Sequence, residues 1–401
     1  MSHNRSAGAG LSLRIALTHT RLSSSGGIEK YIWSLLERLL EAGHEVHYIA
    51  DRFERFSHPN LTLHRARMQR FPKFLRVRSF NRAVNRIIAG LDVDLVHGFT
   101  KTDTQDIYTD GSGTLADYLD ATEPKLPRWR KRPPFLGFHR RAILDMERRR
   151  FQLGACYRVI PMAEFVREQI IRNYPIDPAR VETVYNGVEL EIFHPRNREK
   201  FAPAMRTRLG IDEGTPVILT VANDWRRKGV APLIEALPRI ISKGGLVPVL
   251  LVAGHDNHPE RYKALARRFE VFDQVHFLGS VREIREVFAL ADVFVFPTRY
   301  DVFGNVGLEA LASGVPTLFS SQAGVSEVLD GSLAGETLDD PTDPEEIATR
   351  TLRLLDPSRR QERRLTARTL AERYSWDNHF ERILAIYREV FNEKQRKQVK
   401  E

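Results

Sequence analysis

Short apolar runs without polar alternation recur along this chain, each followed by a stretch of helical periodicity. In the second half they are Val217–Ala222, Val249–Ala253, Val275–Leu278, Val293–Phe296 and Thr317–Ser320, rich in Val, Leu and Phe. A strand that is apolar on both faces must be covered on both faces, which is the condition of a parallel sheet flanked by helices. The first half opens in the same way. A strand is expected at Leu13–Thr18, then a polar loop reading RLSSSGG, a helix from about Ile28 to Ala42, and a strand at Glu45–Ala50. Ile28, Tyr31, Ile32, Leu35, Leu36, Leu39 and Leu40 repeat at helical spacing on one stripe, and Gly43 supplies the stop. This order calls for a right-handed parallel crossover. Further strands are expected at Leu95–Phe99, Arg158–Met162 and Thr183–Tyr185.

A chain of 401 residues exceeds one ordinary core, so the pattern predicts two Rossmann-like, doubly wound α/β domains. The division is expected within Leu190–Ala204, which holds Pro195, Pro203 and a charged run. That gives an N-terminal domain of residues 1–195, a C-terminal domain of residues 196–376, and residues 377–401 as a final helix and tail. The helix, roughly Asp377–Glu393, is expected to pack back across the first domain, with the tail from Lys394 frayed.

Hydrophobic residues make up 42% and charged residues 28% of the chain, as in ordinary soluble proteins. The single cysteine, Cys156, excludes an internal disulfide and fits a reducing compartment. The apolar stretch Leu11–Leu17 is too short for a signal peptide or membrane span, and no other run reaches spanning length, so a cytosolic protein is expected. The formal net charge of +9 points to a polyanionic partner. Much of it is concentrated at Arg128, Arg130, Lys131, Arg132, Arg140, Arg141, Arg148, Arg149 and Arg150, against Asp145 and Glu147. Trp129, Phe135, Leu136 and Phe138 are interleaved with these cations, a mixture that suits docking on an anionic leaflet. A solvated basic loop is the plainer reading. No nucleic-acid-binding motif accompanies the patch, so nucleic acid is not expected as a partner.

The loops after strands should carry the chemistry, because open α/β sheets bind ligands at the carboxyl ends of their strands. After VFVFP the chain reads TRYDVFGNVGLEALASGVP. Asp301 follows the strand, Gly304 admits close backbone approach, Asn305 suits a helix cap, and Glu309 lies one turn further in. A lone pair of acids at this spacing reads equally as a solvated Asp and Glu on a capped helix. Arg227 and Lys228 precede Gly229 in TVANDWRRKG, where cations can neutralise a diphosphate leaving group. Gly26 and Gly27 in SSSGG offer backbone amides to phosphates, a weak signal alone. No Walker loop occurs, and no Asp-x-Asp pair follows a strand.

The segments SGGIEKYIWSLLERLLEAGHEVHYIA, VYNGV, LTVANDWRRKGV, VHFLGSV, ADVFVFPTRYDVFGNVGLEALASGVP and AGVSEVLDG together resemble the retaining glycosyltransferases of family 4, which have the GT-B fold. The resemblance implies two Rossmann-like domains facing a central cleft, a nucleotide-sugar donor and no obligatory metal or other cofactor. It makes Arg227 and Lys228 the diphosphate clamp and Glu309 the ribose ligand. It gives the donor sugar to Asp301 with the backbone of Phe303, Gly304, Asn305 and Val306, sets Val281 near the base, and puts Gly27 under the phosphates. The family has Glu at both ends of this seven-residue gap, and Asp301 departs from that.

The segment HGFTKTDTQDIYTDGSGTLADYL resembles lipopolysaccharide-core α-1,3-glucosyltransferases, which add glucose to an inner-core heptose. That resemblance implies UDP-glucose as donor, a glycan or lipid-linked glycan acceptor, and peripheral association with the cytoplasmic face of the inner membrane through residues 125–150. Those relatives carry an acid where Ser112 stands here, so the acceptor-side acid is either shifted to Asp110 or absent, and Asp110 reads equally as an Asx-turn residue. The expected catalytic residues are thus Asp110, Lys228 and Asp301. A nucleotide-sugar epimerase of the same fold and a non-catalytic sugar-binding protein are the alternatives.

Overall fold

The computed structural model describes residues 12–69, 71, 73–122, 137–152 and 156–399. They form two compact units. The first takes in the described residues up to Asp117, those from 137 to Val184, and those from Phe380 onward. The second takes in Tyr118 to Thr122 and Tyr185–His379. The division at Val184/Tyr185 thus precedes the expected 195/196.

The first unit holds a six-stranded parallel sheet: β1 Arg14–Thr18, β2 Glu45–Ala50, β3 Leu61–Arg65, β4 Leu95–Gly98, β5 Ile107–Asp110 and β6 Arg158–Pro161. Their spatial order is β3-β2-β1-β4-β5-β6. Helix α1, Gly27–Glu41, crosses from β1 to β2 and buries Tyr31, Ile32, Leu35, Leu36, Leu39 and Leu40, the expected stripe, while Ile28 is half-buried. Burying each such side chain contributes about 1.5–3 kcal/mol.

The second unit repeats the plan with β7 Val217–Val221, β8 Val249–Ala253, β9 Val275–Gly279, β10 Val293–Phe296, β11 Thr317–Ser320 and β12 Gly335–Leu338. The order is β9-β8-β7-β10-β11-β12, again all parallel. Strand β10 is buried at every position, as its unbroken apolar sequence requires, and β11 is buried as completely although a Thr and a Ser bound it. The strand order reverses between β7 and β10, which creates a crevice at the carboxyl ends of those two strands.

Three strands of the two six-stranded sheets were not expected from the sequence. LTLHR is an edge strand with mostly exposed side chains, GETL is a half-polar edge strand, and IYTD is short and half polar. The expected strand Thr183–Tyr185 is absent. Val181 bridges Val159, and Glu182 and Val184 donate to the Val159 and Pro161 carbonyls at 3.0 and 3.1 Å, but no ladder develops before the chain enters the second unit. The final helix runs from Trp376 to Gln398, past the expected end. Its supposedly frayed tail is tied down in the first unit, where Lys394 Nζ donates to Asp106 at 2.7 Å and to the Asp94 carbonyl at 2.8 Å. Among the described residues no helix is long and apolar enough to cross a membrane.

Candidate active site

The reversal between β7 and β10 brings two loops of the second unit together. After β7 the chain turns at Asp224, which has φ 58°, and enters helix α4, Val230–Gly244, through Gly229. Gly229 has φ 74°, and a Cβ there would lie 1.9 Å from the Pro297 carbonyl oxygen, so only glycine allows this packing of the two loops. Arg227 and Lys228 are thereby aimed at the loop after β10. Lys228 Nζ donates to Asp301 Oδ2 and lies 4.6 Å from the centre of the Phe296 ring. Arg227 donates to the Tyr300 carbonyl at 2.9 Å and sits 3.7 Å from the Asp301 carboxylate. The Lys228 and Asp301 side chains are only 11% and 16% exposed, so this is no solvated surface pair. Burial pulls the Lys228 ammonium well below its usual range and the Arg227 cation acts in the same direction, while the Asp224 carboxylate opposes both. A buried pair of this kind contributes little net stability over apolar packing. What it provides is two basic side chains held in fixed positions beside a strand end.

Asp301 is pinned from both sides. Its N–H donates to the Gln322 carbonyl at 2.9 Å, and its carbonyl accepts from Gly324 at 3.0 Å. Helix α5, Asn305–Ala312, begins immediately afterwards. The cap is Gly304, with φ 95°, and no side chain caps the helix. The expected cap, Asn305, is instead the first helical residue, and its Oδ1 accepts from Asn186 Nδ2 at 2.6 Å. No side-chain cap closes this helix start, and an uncapped N-terminus attracts anions and hydroxyl oxygens. Phe303 buries its ring and presents only backbone, whereas Val306 is half-buried in the first turn. Glu309 is buried, 8% exposed, on the same helix. Val281 stands in the turn after β9, an edge strand, away from the β7–β10 pair.

Two expected residues belong to the first unit. Gly27 is the first residue of α1, and a Cβ there would meet nothing within 4 Å. The loop before it is held by Glu54, whose carboxylate accepts from the Ser23 hydroxyl and from the Ser24 amide at 2.9 Å. The Ser23 hydrogen bond, the two from Ser24 and a weaker one from Arg21 hold the Glu54 carboxyl down at about 2. Asp110 is buried, and its Oδ1 accepts from Gly113 N–H at 2.9 Å, Ser112 N–H at 3.1 Å and the Tyr108 hydroxyl at 3.2 Å. That is the Asx-turn arrangement.

Asn186 and Glu54 were not marked as site residues in the sequence. Asn186 lies within VYNGV, where the Asn-Gly pair was the available signal. Glu54 had none, since its partners are thirty residues away. Among the described residues no group of three or more His, Cys, Asp or Glu is placed to hold a metal ion. The basic residues Arg128, Arg130, Lys131 and Arg132, with Trp129, Phe135 and Leu136, lie outside the described residues, and the Phe138 side chain is likewise not described.

Residues 215–357 match the family model of group 1 glycosyl transferases, and residues 25–105 match that of glycosyltransferase family 4. Arg227, Lys228, Val281, Asp301, Phe303, Gly304, Asn305, Val306 and Glu309 fall in the first match and Gly27 in the second, whereas Asp110 falls in neither. The α-maltose-1-phosphate synthase of Mycolicibacterium smegmatis is 27% identical over 339 residues, covering 78% of this chain and 85% of that protein. The lipopolysaccharide glucosyltransferase WaaG of Escherichia coli K12 is 25% identical over 63% of this chain and 66% of its own. The crystal structure of WaaG, a glycosyltransferase involved in lipopolysaccharide biosynthesis, superposes with a TM-score of 0.79 at 22% identity, over 93% of this chain and 99% of that one. Anabaena HepE in complex with UDP-glucose superposes with a TM-score of 0.70 at 14% identity, over 93% and 99% of the two chains. With two parallel six-stranded sheets of one strand order, and both family matches in sequence, the chain belongs among the group 1, family 4-like glycosyltransferases of GT-B fold.

Proposed function

We propose that this protein transfers glucose from UDP-glucose, with retention of anomeric configuration, to a lipopolysaccharide-core or similar glycan at the cytoplasmic face of a membrane. The observation that carries this reading is the convergence of Arg227, Lys228 and Asp301 beside an uncapped helix start at the strand-order reversal. Arg227 and Lys228 receive the diphosphate, whose charge grows as the glycosidic bond breaks. Fixed cations aimed at a leaving group lower that barrier without reorganisation. Glu309 accepts from the ribose. Asp301 and the backbone of Phe303, Gly304, Asn305 and Val306 hold the sugar hydroxyls, and the chain at Val281 contacts the base. The α1 start at Gly27 meets the phosphates. The transition state is oxocarbenium-like. The acceptor hydroxyl attacks from the face the diphosphate leaves, and a phosphate oxygen takes its proton. No metal or other cofactor enters this scheme.

The glucosyl donor is supported by the name of WaaG and by the UDP-glucose held in the HepE fold. Calorimetric titration with UDP-, ADP- and GDP-glucose, followed by NMR of the product's anomeric proton, tests it. UDP-glucose should bind tightest and the new linkage should be α. Release of an epimer or of free sugar without acceptor would point to a different reaction of the same fold. The membrane arm rests on the aromatic-interleaved cations of residues 125–150. Replacing Arg130, Lys131 and Arg132 by Ser should weaken sedimentation with anionic liposomes and spare donor hydrolysis. Unchanged sedimentation removes the membrane from the proposal.

A further inference from the structure

The first unit contains a cavity of about 650 Å³ lined by helix α2, Lys73–Ile88, helix α3, Gly137–Arg150, and the loop after β4. Arg78 and Arg82 face it from α2, Arg148 and Arg149 from α3, and Asp103 and Asp145 are the carboxylates present. Four guanidinium groups stand against two carboxylates, and none of the four forms an ion pair with a described residue. Asp103 is already engaged, accepting from Asn81 Nδ2 at 2.6 Å while its N–H donates to Asn81 Oδ1 at 2.8 Å. Arginines gathered in this way with so little counter-charge make a receptor for an oxyanion, to which they present planar bidentate forks. Asn85 also lines the cavity, and its buried Oδ1 has no hydrogen-bond partner. That oxygen only accepts, so a fully ionised phosphate cannot satisfy it, whereas a sugar hydroxyl can.

We infer that this cavity binds a phosphorylated saccharide, with the phosphate ester on the arginine forks and a sugar hydroxyl donating to Asn85 Oδ1. The inference rests on the proposed transfer reaction only in taking that saccharide as part of the acceptor. The similarity to a synthase named for a sugar phosphate agrees in chemical class.

The test titrates the full chain with glucose 6-phosphate, inorganic phosphate and glucose, and separately with UDP-glucose. Glucose 6-phosphate should bind saturably and more tightly than inorganic phosphate, and glucose alone should give no signal. Arg82→Gln with Arg149→Gln, both at exposed positions, should weaken glucose 6-phosphate binding at least tenfold and leave the melting temperature and UDP-glucose binding unchanged. Asn85→Ala should erase the preference over inorganic phosphate. Absence of saturable binding, or binding untouched by the double variant, overturns the inference. So does a double variant that loses affinity for phosphatidylglycerol vesicles while keeping glucose 6-phosphate, which would make the arginines a membrane contact. A chain that binds glucose 6-phosphate but no nucleotide sugar supports the cavity and sinks the proposed donor reaction.

Discussion

The two units share one strand order and one device, a helix that starts at an uncapped glycine after a strand, yet they equip it differently. In the second unit the turns after β7 and β10 carry side chains of opposite charge that meet, Lys228 on Asp301 with Arg227 behind. In the first unit the turn before α1 carries serines locked onto Glu54, and Gly27 beyond them faces open space. The same backbone thus yields a charged, preorganised site in one unit and a bare approach surface in the other. Side-chain chemistry at strand ends separates the two roles, and sheet topology does not.

The comparison breaks most visibly at Lys228. Lys228→Ala should lower turnover by about 10²–10³-fold, the usual cost of losing one preorganised group that stabilises a developing charge. The fold should survive, because Arg227 remains 3.7 Å from Asp301 as a counter-charge. Steady-state kinetics with thermal melts decide it, and turnover within fivefold of the parent would remove Lys228 from the chemistry.

Asp110 is the place where the first unit would join the second in carrying chemistry. Its Oδ1 is engaged by the Ser112 and Gly113 amides. Asn keeps that acceptor oxygen and loses only the charge. Asp110→Asn should therefore retain turnover within about threefold, while Asp110→Ala should lose about 1–3 kcal/mol of stability by stranding buried donors. If Asn falls as far as Lys228→Ala does, both units carry reacting groups and the contrast fails.

Gly27 sharpens the comparison from the other side. A Cβ at Gly27 would meet nothing within 4 Å, so packing at the Cβ gives no reason for glycine there. Gly27→Leu should leave stability unchanged within about 1 kcal/mol and raise the KM for the donor at least tenfold if phosphates approach this helix start. An unaltered KM would leave the α1 start without a ligand.

How much of this was legible beforehand follows from what periodicity reports. Doubly buried strands such as VFVF and the α1 stripe announce themselves, since burial demands apolar residues at fixed spacing. LTLHR and GETL did not, because an edge strand is fixed by backbone pairing that its side chains do not record. That Arg227, Lys228 and Asp301 would meet could be read from their place after strands. The cap could not be: Asn305 has the right chemistry for one, but Gly304 takes the cap and Asn186, distant in sequence, claims the Asn305 side chain. Glu54 was invisible for the same reason, its serine partners lying on a separate loop.

Glu54 provides the smallest effect, and one whose sign can be worked out. Its carboxyl titrates at about 2 in the folded chain against an ordinary 4.5, because the Ser23 and Ser24 hydrogen bonds favour the charged form. A folded value below the unfolded one means that the contribution is fully present above pH 4.5. It fades as the pH falls towards 2 and is gone once the group is protonated in both states. Amide exchange at Ser24 should therefore accelerate as the pH is lowered through this window, relative to the intrinsic rate at each pH. Glu54→Gln, which cannot ionise, should show fast relative exchange throughout and converge with the parent near pH 2. The side chain is 36% exposed and its partners lie on one surface loop, so the change should stay local, with global melting little affected while the loop before Gly27 loosens. If parent and variant protect Ser24 equally at pH 6, Glu54 does not hold the loop, and the first unit's approach surface is shaped by the backbone alone.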